Sequence, residues 1–494
     1  MSKASGVKQP PPAPEGGWGW VAIPAAFIVH VITSGYMLSI SVFLVEWRLF
    51  FDTDAKTVGY VGVILGFLGP TMGLPAGGLS KTFGCRTVAI IAGLSLSLSM
   101  LLAMFATKLY HLYLTTLITA IGIGFSYQPA VIVIGHYFQQ RLGLANGIAM
   151  SGVGIGMLVV SPFLQFLIDT FTWQKSFLIL CPIALIVSLC GLLFRPSQRE
   201  MYYLKEKAVH KHLKENPDEG EEKEGNFKPQ EPKEKSTSNQ SRALTFYLLR
   251  GIKFFGLHLI WRHPSINFIF IAFGLLGCGF YSSLVFFTSK AVFDLNISQS
   301  KASWLISLVG MGSFTFRLCH GFLIDLKILS PMMIFVLAAL VCSVSDLLNP
   351  FTNSFAGLAV CAFCLGAGSG LAIAVTIVCI REAVHPVYVS NAWGITMMGF
   401  GCGNLIGVYL MAFLYDATGT YNISFFVGAA ILFLAALSMF SLWILHHRKG
   451  TNKKQTDQEV KMTKLTENGP SARQFFISEE EKDEAGESDI KEKT

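Results

Sequence analysis

Long apolar stretches separated by short polar segments dominate this chain of 494 residues. A helix needs about 20 mostly apolar residues to cross the hydrocarbon core of a membrane. Twelve stretches qualify, and they lack the polar–apolar alternation of a membrane β-barrel. They predict twelve transmembrane helices, at 18–44, 58–79, 87–106, 109–134, 144–168, 173–194, 266–288, 303–325, 330–349, 354–380, 390–414 and 425–445.

The polar segments divide the chain into five regions. These are a short N-terminal segment (1–17), a first bundle of six helices (18–194), a charged linker (195–265), a second bundle of six helices (266–445) and a disordered tail (446–494). The linker contains the run ENPDEGEEKEG and has too few large apolar residues to fold there. Its end, 244–261, mixes basic and apolar residues, which is typical either of a helix lying on the inner leaflet or of a plain lead-in to the seventh span.

Composition supports a membrane protein. Hydrophobic residues make up 52% of the chain and charged residues only 14%, whereas soluble domains carry about 25% charged residues. The charges concentrate in the linker and the tail, so no basic face suited to nucleic acid remains elsewhere. Lys and Arg residues follow the sixth and twelfth spans directly, which predicts that both termini and the linker are cytoplasmic. We therefore predict an all-α protein embedded in the lipid bilayer.

Signs of enzyme chemistry are weak. The sequence offers no evident nucleophile–His–acid set and no phosphate-binding loop. The pair Cys361-x-x-Cys364 has the spacing of a zinc or redox site, but it falls inside a predicted membrane helix and has no second ligand pair. Small buried thiols are the simpler interpretation. We predict no metal, no cofactor and no enzymatic activity.

Glycines cluster on three of the predicted spans. The second, fifth and eleventh spans carry Gly62-x3-Gly66, Gly143-x3-Gly147 and Gly399-x3-Gly403, among other small residues. Such spacings let helix backbones approach closely in a membrane. They indicate either static tight packing or surfaces along which helices move.

Several motifs resemble one transporter family. Glu15-Gly16-Gly17-Trp18-Gly19-Trp20 is similar to the signature that opens the first span of the monocarboxylate transporters, a branch of the major facilitator superfamily. Tyr137-Phe138, Arg141 and Leu144-Ala145-Asn146-Gly147 resemble the start of that family's fifth span. Further matching stretches extend the resemblance over 15–445. The two aromatic residues of the opening signature also suit a membrane interface.

The resemblance implies a fold and a function. It implies a major facilitator fold of two six-helix bundles and a multi-pass carrier in the plasma membrane. It further implies alternating-access transport of a small organic monocarboxylate. Members of the family often require a single-span ancillary glycoprotein, which no residue of this sequence indicates. The second, fifth, eighth and eleventh spans of such proteins lie between the bundles, which favours the interpretation of the glycine faces as moving surfaces.

Arg317 is the leading site residue. It lies about 4–5 Å past the middle of the eighth span. An Arg at the centre of a membrane helix costs about 2.5–3.5 kcal/mol on insertion scales, so such residues usually face a polar cavity and serve a function. A guanidinium stays charged and grips a carboxylate through two hydrogen bonds. A structural ion pair or an Arg that extends to the membrane surface is the alternative. In the family, an Arg at this place binds the substrate carboxylate.

The sequence departs from the family's proton-coupled carriers at three positions. Leu38 stands where they have a Lys in the first span, and Ser313 where they have an Asp one turn before the Arg. Ser369 stands where some members have an Asp in the tenth span. Proton coupling by the usual residues is therefore not expected. A gradient-driven carrier of a zwitterionic or larger carboxylate, and a non-transporting receptor or scaffold, are the alternatives.

Other residues are assigned provisional roles. His30 and His320 lie within spans and titrate in the useful range when solvated, although packing is the simpler role. The predicted substrate contacts besides Arg317 are Ser34, Tyr36, Tyr127, Gln128, Asn146, Ser282, Ser313 and Ser369. The predicted gating residues are Lys81, Arg86 and Arg141. Asp346 falls near a span end and is expected to contact water.

Overall fold

The structure is a computed structural model that describes residues 13–198, 201, 258–262, 264–325, 329–384 and 388–467. Within these ranges the chain is helical and contains no β-strand. The first half contains α1 (Gly19–Leu38), α2 (Ser41–Phe50), α3 (Ala55–Thr71), α4 (Gly73–Phe83), α5 (Cys85–Met104), α6 (Leu109–Tyr137), α7 (Leu142–Thr170) and α8 (Trp173–Leu193). The second half contains α9 (His258–Arg262), α10 (Pro264–Phe293), α11 (Gln299–Asp325), α12 (Pro331–Leu348), a 3-10 turn (Asn349–Phe351), α13 (Phe355–Ala383), α14 (Val389–Thr418) and α15 (Tyr421–Glu467).

Twelve helical segments of the described chain are long and apolar enough to cross a membrane. They agree with the predicted spans to within a few residues at most ends. The second span, Thr57–Phe83, consists of two helices, because the chain changes from α3 to α4 at Met72, just after Pro70. Proline lacks the N–H that would continue the helix ladder.

The first span is shorter than predicted. α1 ends at Leu38, whereas the apolar pattern extends to 44, and the chain turns at Ser39 before α2 begins. Aromatic packing explains the apolar residues beyond the turn. The Phe43 ring stacks on the rings of Trp47 and Phe177, with centroids 5.2 Å and 5.0 Å apart. These residues therefore form a core at the end of the first half rather than a continuation of the span.

The chain divides into two compact units, Met1–Phe440 and Ser441–Thr494. The first unit contains α1 to α14 and the start of α15. In the second unit the structure describes helix up to Glu467, so residues 446–467 are helical where the sequence predicts a disordered tail. The predicted amphipathic segment 244–261 and most of the linker lie outside the described residues, apart from the short helix α9.

Two seams join the halves of the first unit. In the first seam, α7 of the first half packs along α11 of the second. In the second seam, α3 and α4 pack along α14. These helices are the fifth, eighth, second and eleventh spans, which the resemblance placed between the bundles.

Backbones approach closely at the first seam. A Cβ atom added to Gly154 of α7 would stand 2.8 Å from the carbonyl oxygen of Gly310, and one added to Gly310 of α11 would stand 2.6 Å from the nitrogen of Leu158. Real side chains do not tolerate such distances. Two glycines facing each other thus set the spacing of α7 and α11, as expected of small residues between membrane helices.

Each seam contains a main-chain carbonyl that its own helix cannot satisfy. Gly66 lies four residues before Pro70 in α3, and Leu158 lies four residues before Pro162 in α7. Because proline has no N–H, neither carbonyl receives the usual helical hydrogen bond. Side chains of the second half donate instead. Asn404 Nδ2 of α14 lies 2.8 Å from the Gly66 oxygen, and Ser307 Oγ of α11 lies 3.2 Å from the Leu158 oxygen.

The N-terminal signature anchors α1 within the first half. The Glu15 carboxylate accepts hydrogen bonds from the backbone N–H groups of Gln139, Gln140 and Arg141, at 2.6, 2.7 and 3.3 Å. Trp18 Nε1 donates to the Leu193 carbonyl at 2.8 Å. Partial desolvation alone raises the pKa of Glu15, but the three N–H donors and the nearby Arg141 charge outweigh it, so this pKa lies below its ordinary value. The signature therefore ties α1 to the α6–α7 turn and to the end of α8.

Candidate functional site

A cavity with about 720 Å³ of empty space lies between the two halves. On the first half it is lined by Ser34, Met37 and Leu38 of α1 and by Gly69, Pro70 and Gly73 of α3 and α4. Helices α6 and α7 add Ile123, Gly124, Tyr127, Gln128, Val153 and Met157. Ligand pockets are commonly lined by apolar and aromatic side chains with a few polar groups, and this lining has that character.

The second half contributes the charge of the cavity. α11 places Ser313 and Arg317 in the wall, and α10, α13 and α14 add apolar side chains. Those apolar residues are Phe273, Phe280, Ile373, Met397 and Phe400. Among the described lining residues, Arg317 is the one charged side chain. The cavity is therefore an apolar space with a single fixed positive charge.

Arg317 is buried, with 2% of its surface exposed. Its Nε donates to Ser313 Oγ at 3.0 Å, and its Nη1 lies 3.5 Å from the Met150 carbonyl across the first seam. The Tyr127 hydroxyl also contacts the guanidinium. No carboxylate of the described residues pairs with it. A buried cation held only by neutral groups retains the capacity to bind an anion.

Five predicted contacts come together at this cavity. Ser34, Tyr127, Gln128, Ser313 and Arg317 all line it. They come from α1, α6 and α11, so both halves contribute polar groups. Tyr127 and Ser313 are the two that touch Arg317 directly. A carboxylate bound at the guanidinium would therefore lie beside hydroxyl groups of both halves.

Four other predicted contacts do not line the cavity. Tyr36 is half-buried and packs against Phe43, because Ser34, Met37 and Leu38 occupy the cavity face of α1 and Tyr36 points to another face. Asn146 is buried and donates to Met150 Sδ at 3.3 Å within α7. Ser282 and Ser369 each donate to a carbonyl of their own helix. Their polarity is satisfied inside the bundles.

Both histidines lie behind the cavity wall. His30 is fully buried, its ring centroid lies 4.5 Å from that of Tyr127, and neither ring nitrogen has a hydrogen-bond partner among the described residues. His320 Nδ1 lies 2.5 Å from the Arg317 carbonyl oxygen. Neither residue is part of the lining. Their predicted role in proton coupling stays a prediction.

The gating residues occupy different positions. Lys81 Nζ, near the end of α4, donates to Asn391 Oδ1 at the start of α14, which closes the second seam on the side of the membrane where α1 begins. Arg86 is exposed. Arg141 is also exposed, and its backbone N–H bonds Glu15 within the first half. Of the three, Lys81 is the one with a described hydrogen bond between the halves.

Asp346 is not solvent-exposed as expected. It is fully buried, and Ser283 Oγ donates to its Oδ2 at 2.5 Å. The sequence places it near the end of α12, but the 3-10 turn Asn349–Phe351 follows, and α10 and α15 cover the side chain at Ser283 and Gly428. Asp346 does not line the cavity.

Sequence reasoning missed the apolar part of the cavity. Phe273 and Phe280 are seven residues apart, which is two helical turns, so both lie on one face of α10. This spacing is a usable signal, but an apolar face of a membrane helix looks the same whether it meets lipid, protein or substrate. Leu38 of α1 is also in the wall.

The sequence matches one family model and several known transporters along most of its length. The family model described as Major Facilitator Superfamily matches residues 23–345 and 269–479. Monocarboxylate transporter 12-B of Danio rerio is 27% identical over 456 residues, covering 90% of this chain and 91% of the relative. Monocarboxylate transporter 2 of Meriones unguiculatus is 28% identical, covering 87% and 86%. Monocarboxylate transporter 14 of Homo sapiens is 27% identical, covering 87% and 91%.

Proposed function

The chain belongs to the monocarboxylate transporter family of the major facilitator superfamily, and from this we propose that it carries a small organic monocarboxylate across the plasma membrane by alternating access. Arg317 is the observation that carries the proposal. It is a buried, permanently charged group in a cavity between the halves, and no described carboxylate neutralises it. A substrate carboxylate supplies the missing negative charge.

The proposed site offers the carboxylate two kinds of hydrogen-bond donor, a charged guanidinium and a neutral hydroxyl. The guanidinium of Arg317 offers two parallel N–H donors, which match the two oxygens of a carboxylate. The Tyr127 hydroxyl adds a donor from the first half, while Ser313 holds the guanidinium in place through Nε. Because donors come from α6 and α11, a bound anion joins the two halves. Filling or emptying the site therefore changes the contacts between the halves at the first seam.

The proposed driving force is the gradient of the substrate itself. Leu38 and Ser313 line the cavity, at the positions where the resemblance to the family's proton-coupled carriers implies a lysine and an aspartate. Without these groups the described wall holds no side chain that exchanges protons near neutral pH. His30 and His320 are buried behind it and remain the groups to test for coupling.

The same proposal covers orientation and partners. The Lys and Arg residues after the sixth and twelfth spans support cytoplasmic termini. With that orientation, the contact between Lys81 and Asn391 closes the cytoplasmic end of the second seam. A single-span ancillary glycoprotein is proposed from the resemblance alone.

Uptake of labelled lactate and pyruvate by oocytes that express the full chain tests the proposal. We expect Arg317→Gln to lower saturable uptake at least about 50-fold, because two charge-assisted hydrogen bonds are lost. Arg317→Lys keeps the charge without the paired donors and should fall between. Lys301→Gln removes an exposed cation from the same helix and serves as the matched control.

Uptake at external pH of about 6 and about 7.5 tests the driving force, since these values bracket the histidine range. We expect rates within about twofold of each other once the Arg317→Gln background is subtracted. A steep rise at the lower pH that His30→Gln removes would replace the gradient-driven carrier by a histidine-coupled one. Uptake that survives Arg317→Gln would contradict the proposed site.

A further inference from the structure

The cavity also indicates which carboxylates it accepts. Besides Arg317, the described lining has four side chains with hydrogen-bonding groups, namely Ser34, Tyr127, Gln128 and Ser313. Two of these, Tyr127 and Ser313, are already engaged with the guanidinium. Half of these polar side chains thus surround the guanidinium, Gln128 lies beside Gly73 near Met397, and the remainder of the described wall is apolar.

The apolar part extends well beyond the charged group. Phe273 and Phe280 of α10 both line the cavity, and seven residues of helix rise about 10 Å. The Phe273 ring lies 5.0 Å from the Phe400 ring of α14, so two helices form one aromatic surface. A three-carbon acid held at Arg317 would leave most of this surface in contact with water. An apolar body on the substrate would cover it, at the gain that burial of apolar area brings.

The wall disfavours a second charge on the substrate. An ammonium group taken out of water needs a carboxylate or several good acceptors. None of the described lining residues is acidic, and Arg317 repels a second positive group. The buried Asp346 is outside the lining and already accepts a hydrogen bond from Ser283.

We infer that the preferred substrate is a monocarboxylate with an aromatic or bulky apolar body and no ammonium group, whose carboxylate binds Arg317 and whose body packs on Phe273, Phe280 and Phe400. This inference rests on the proposed function and narrows its substrate class. A site for this class of substrate differs from a site that prefers the smallest acids and from a site that prefers amino acids.

Three labelled probes test the inference, because propanoate and L-phenylalanine each differ from 3-phenylpropanoate by one group. 3-Phenylpropanoate has the acid and the ring, propanoate lacks the ring, and L-phenylalanine adds an α-ammonium. In oocytes expressing the full chain at pH of about 7.5 we expect 3-phenylpropanoate to show a KM at least about tenfold below that of propanoate. We expect L-phenylalanine to be carried at least about tenfold less efficiently than 3-phenylpropanoate.

Variants of α14 connect this preference to the wall. Phe400 is 7% exposed and lines the cavity, whereas Phe413 of the same helix is 58% exposed. Phe400→Ala should bring the KM values of 3-phenylpropanoate and propanoate to within about threefold of each other while propanoate uptake persists. Phe413→Ala should leave the ratio unchanged. Phe400→Leu keeps most of the apolar volume and should give an intermediate ratio of the two KM values. It provides a second measurement in case Phe400→Ala does not fold.

The outcomes separate the inference from the function on which it rests. Equal KM values for the two acids, unchanged in Phe400→Ala, would overturn the inference and leave an Arg317-dependent carrier of small acids. Efficient uptake of L-phenylalanine would overturn it in favour of a zwitterion carrier. Uptake of all three probes that persists in Arg317→Gln, or no saturable uptake despite surface expression, would instead defeat the proposed function.

Discussion

The two seams between the halves are built alike but differ in the charge that they bring to the cavity. In both, a side chain of the second half donates to a carbonyl of the first half that a proline has left without its helical partner. The second seam keeps to neutral groups there, and its Asn404 bond is the shorter at 2.8 Å. The first seam adds Arg317, whose Nη1 lies 3.5 Å from the Met150 carbonyl.

This difference assigns the seams different tasks. An anion that binds Arg317 competes with the weakly held Met150 carbonyl, so filling the site alters a contact between the halves at the first seam. At the second seam no charged residue among those described lines the cavity, and opening it exchanges the Asn404 hydrogen bond, and the Lys81–Asn391 hydrogen bond at its end, for hydrogen bonds to water. We therefore expect the first seam to respond to substrate and the second to hold the halves closed.

Among changes that leave Arg317 in place, the largest expected effect comes from forcing the first seam apart. A Cβ atom at Gly154 would stand 2.7 Å from Phe314 Cα, so Gly154→Val cannot be accommodated unless α7 and α11 separate. We expect transport per surface-expressed molecule to fall at least about tenfold. Uptake and surface biotinylation, measured together, check this.

Gly143→Val is the matched control for that change. Gly143 lies on the same helix, and a Cβ atom there meets nothing within 4 Å. The control should transport normally. Normal transport by Gly154→Val would mean that the close approach of α7 and α11 is not needed for the transport cycle.

An intermediate effect, on stability, is expected from removing the two side chains that donate to the Gly66 and Leu158 carbonyls. Asn404→Ala leaves the Gly66 oxygen without its donor, which costs about 1–3 kcal/mol in a buried site. Ser307→Ala should cost less, because its bond to the Leu158 oxygen is 3.2 Å long. Both should lower the melting temperature of the detergent-solubilised protein, Asn404→Ala by more.

Two further variants, Pro162→Ala and Ser303→Ala, are the controls for the Ser307→Ala change. Pro162→Ala restores the N–H that the Leu158 carbonyl lacks, so it should recover most of the stability lost in Ser307→Ala. Ser303→Ala on the same helix should have little effect, since that hydroxyl bonds the Ser300 carbonyl of its own helix. If Pro162→Ala gives no recovery, the released carbonyl is not what Ser307 stabilises.

The sequence predicts the membrane spans and the charged site residue, but not which face of each helix meets the cavity. Apolar length and glycine spacing indicate which helices cross the membrane and which pack closely. Arg317 stands out because a charge in the middle of a span is costly. Tyr36, a predicted substrate contact, does not line the cavity. One residue along a helix turns the side chain by about 100°, and the sequence does not show which face of α1 meets the cavity.

Partners across the halves are equally hidden in a single sequence. Pro70 and Pro162 show that two carbonyls need donors, but Asn404 lies more than three hundred residues from Gly66. Asp346 illustrates the opposite error. Its position near a span end suggests water, whereas α10 and α15 bury it. Burial near span ends depends on how neighbouring helices cover the residue, which composition does not encode.

The smallest expected effect comes from a contact within the first half, and the change should leave both seams unaltered. Glu15→Gln weakens the hydrogen bonds to Gln139, Gln140 and Arg141. Because Glu15 is only partly buried, we expect the melting temperature at neutral pH to fall by only about 2 °C or less, with KM unchanged. Glu46→Gln, which removes a partly exposed carboxylate without described contacts, is the control.

The pH dependence of stability gives a second test of this contact. The pKa of Glu15 is lower in the folded protein, so the contribution of its carboxylate to stability is complete above the ordinary pKa of 4.5 and is lost as pH falls through the folded value. The difference between wild type and Glu15→Gln should therefore hold from neutral pH down to about 5 and shrink below that. A difference that instead grows towards acid pH, or a changed KM, would mean that this anchor acts on the transport cycle rather than on the first half alone.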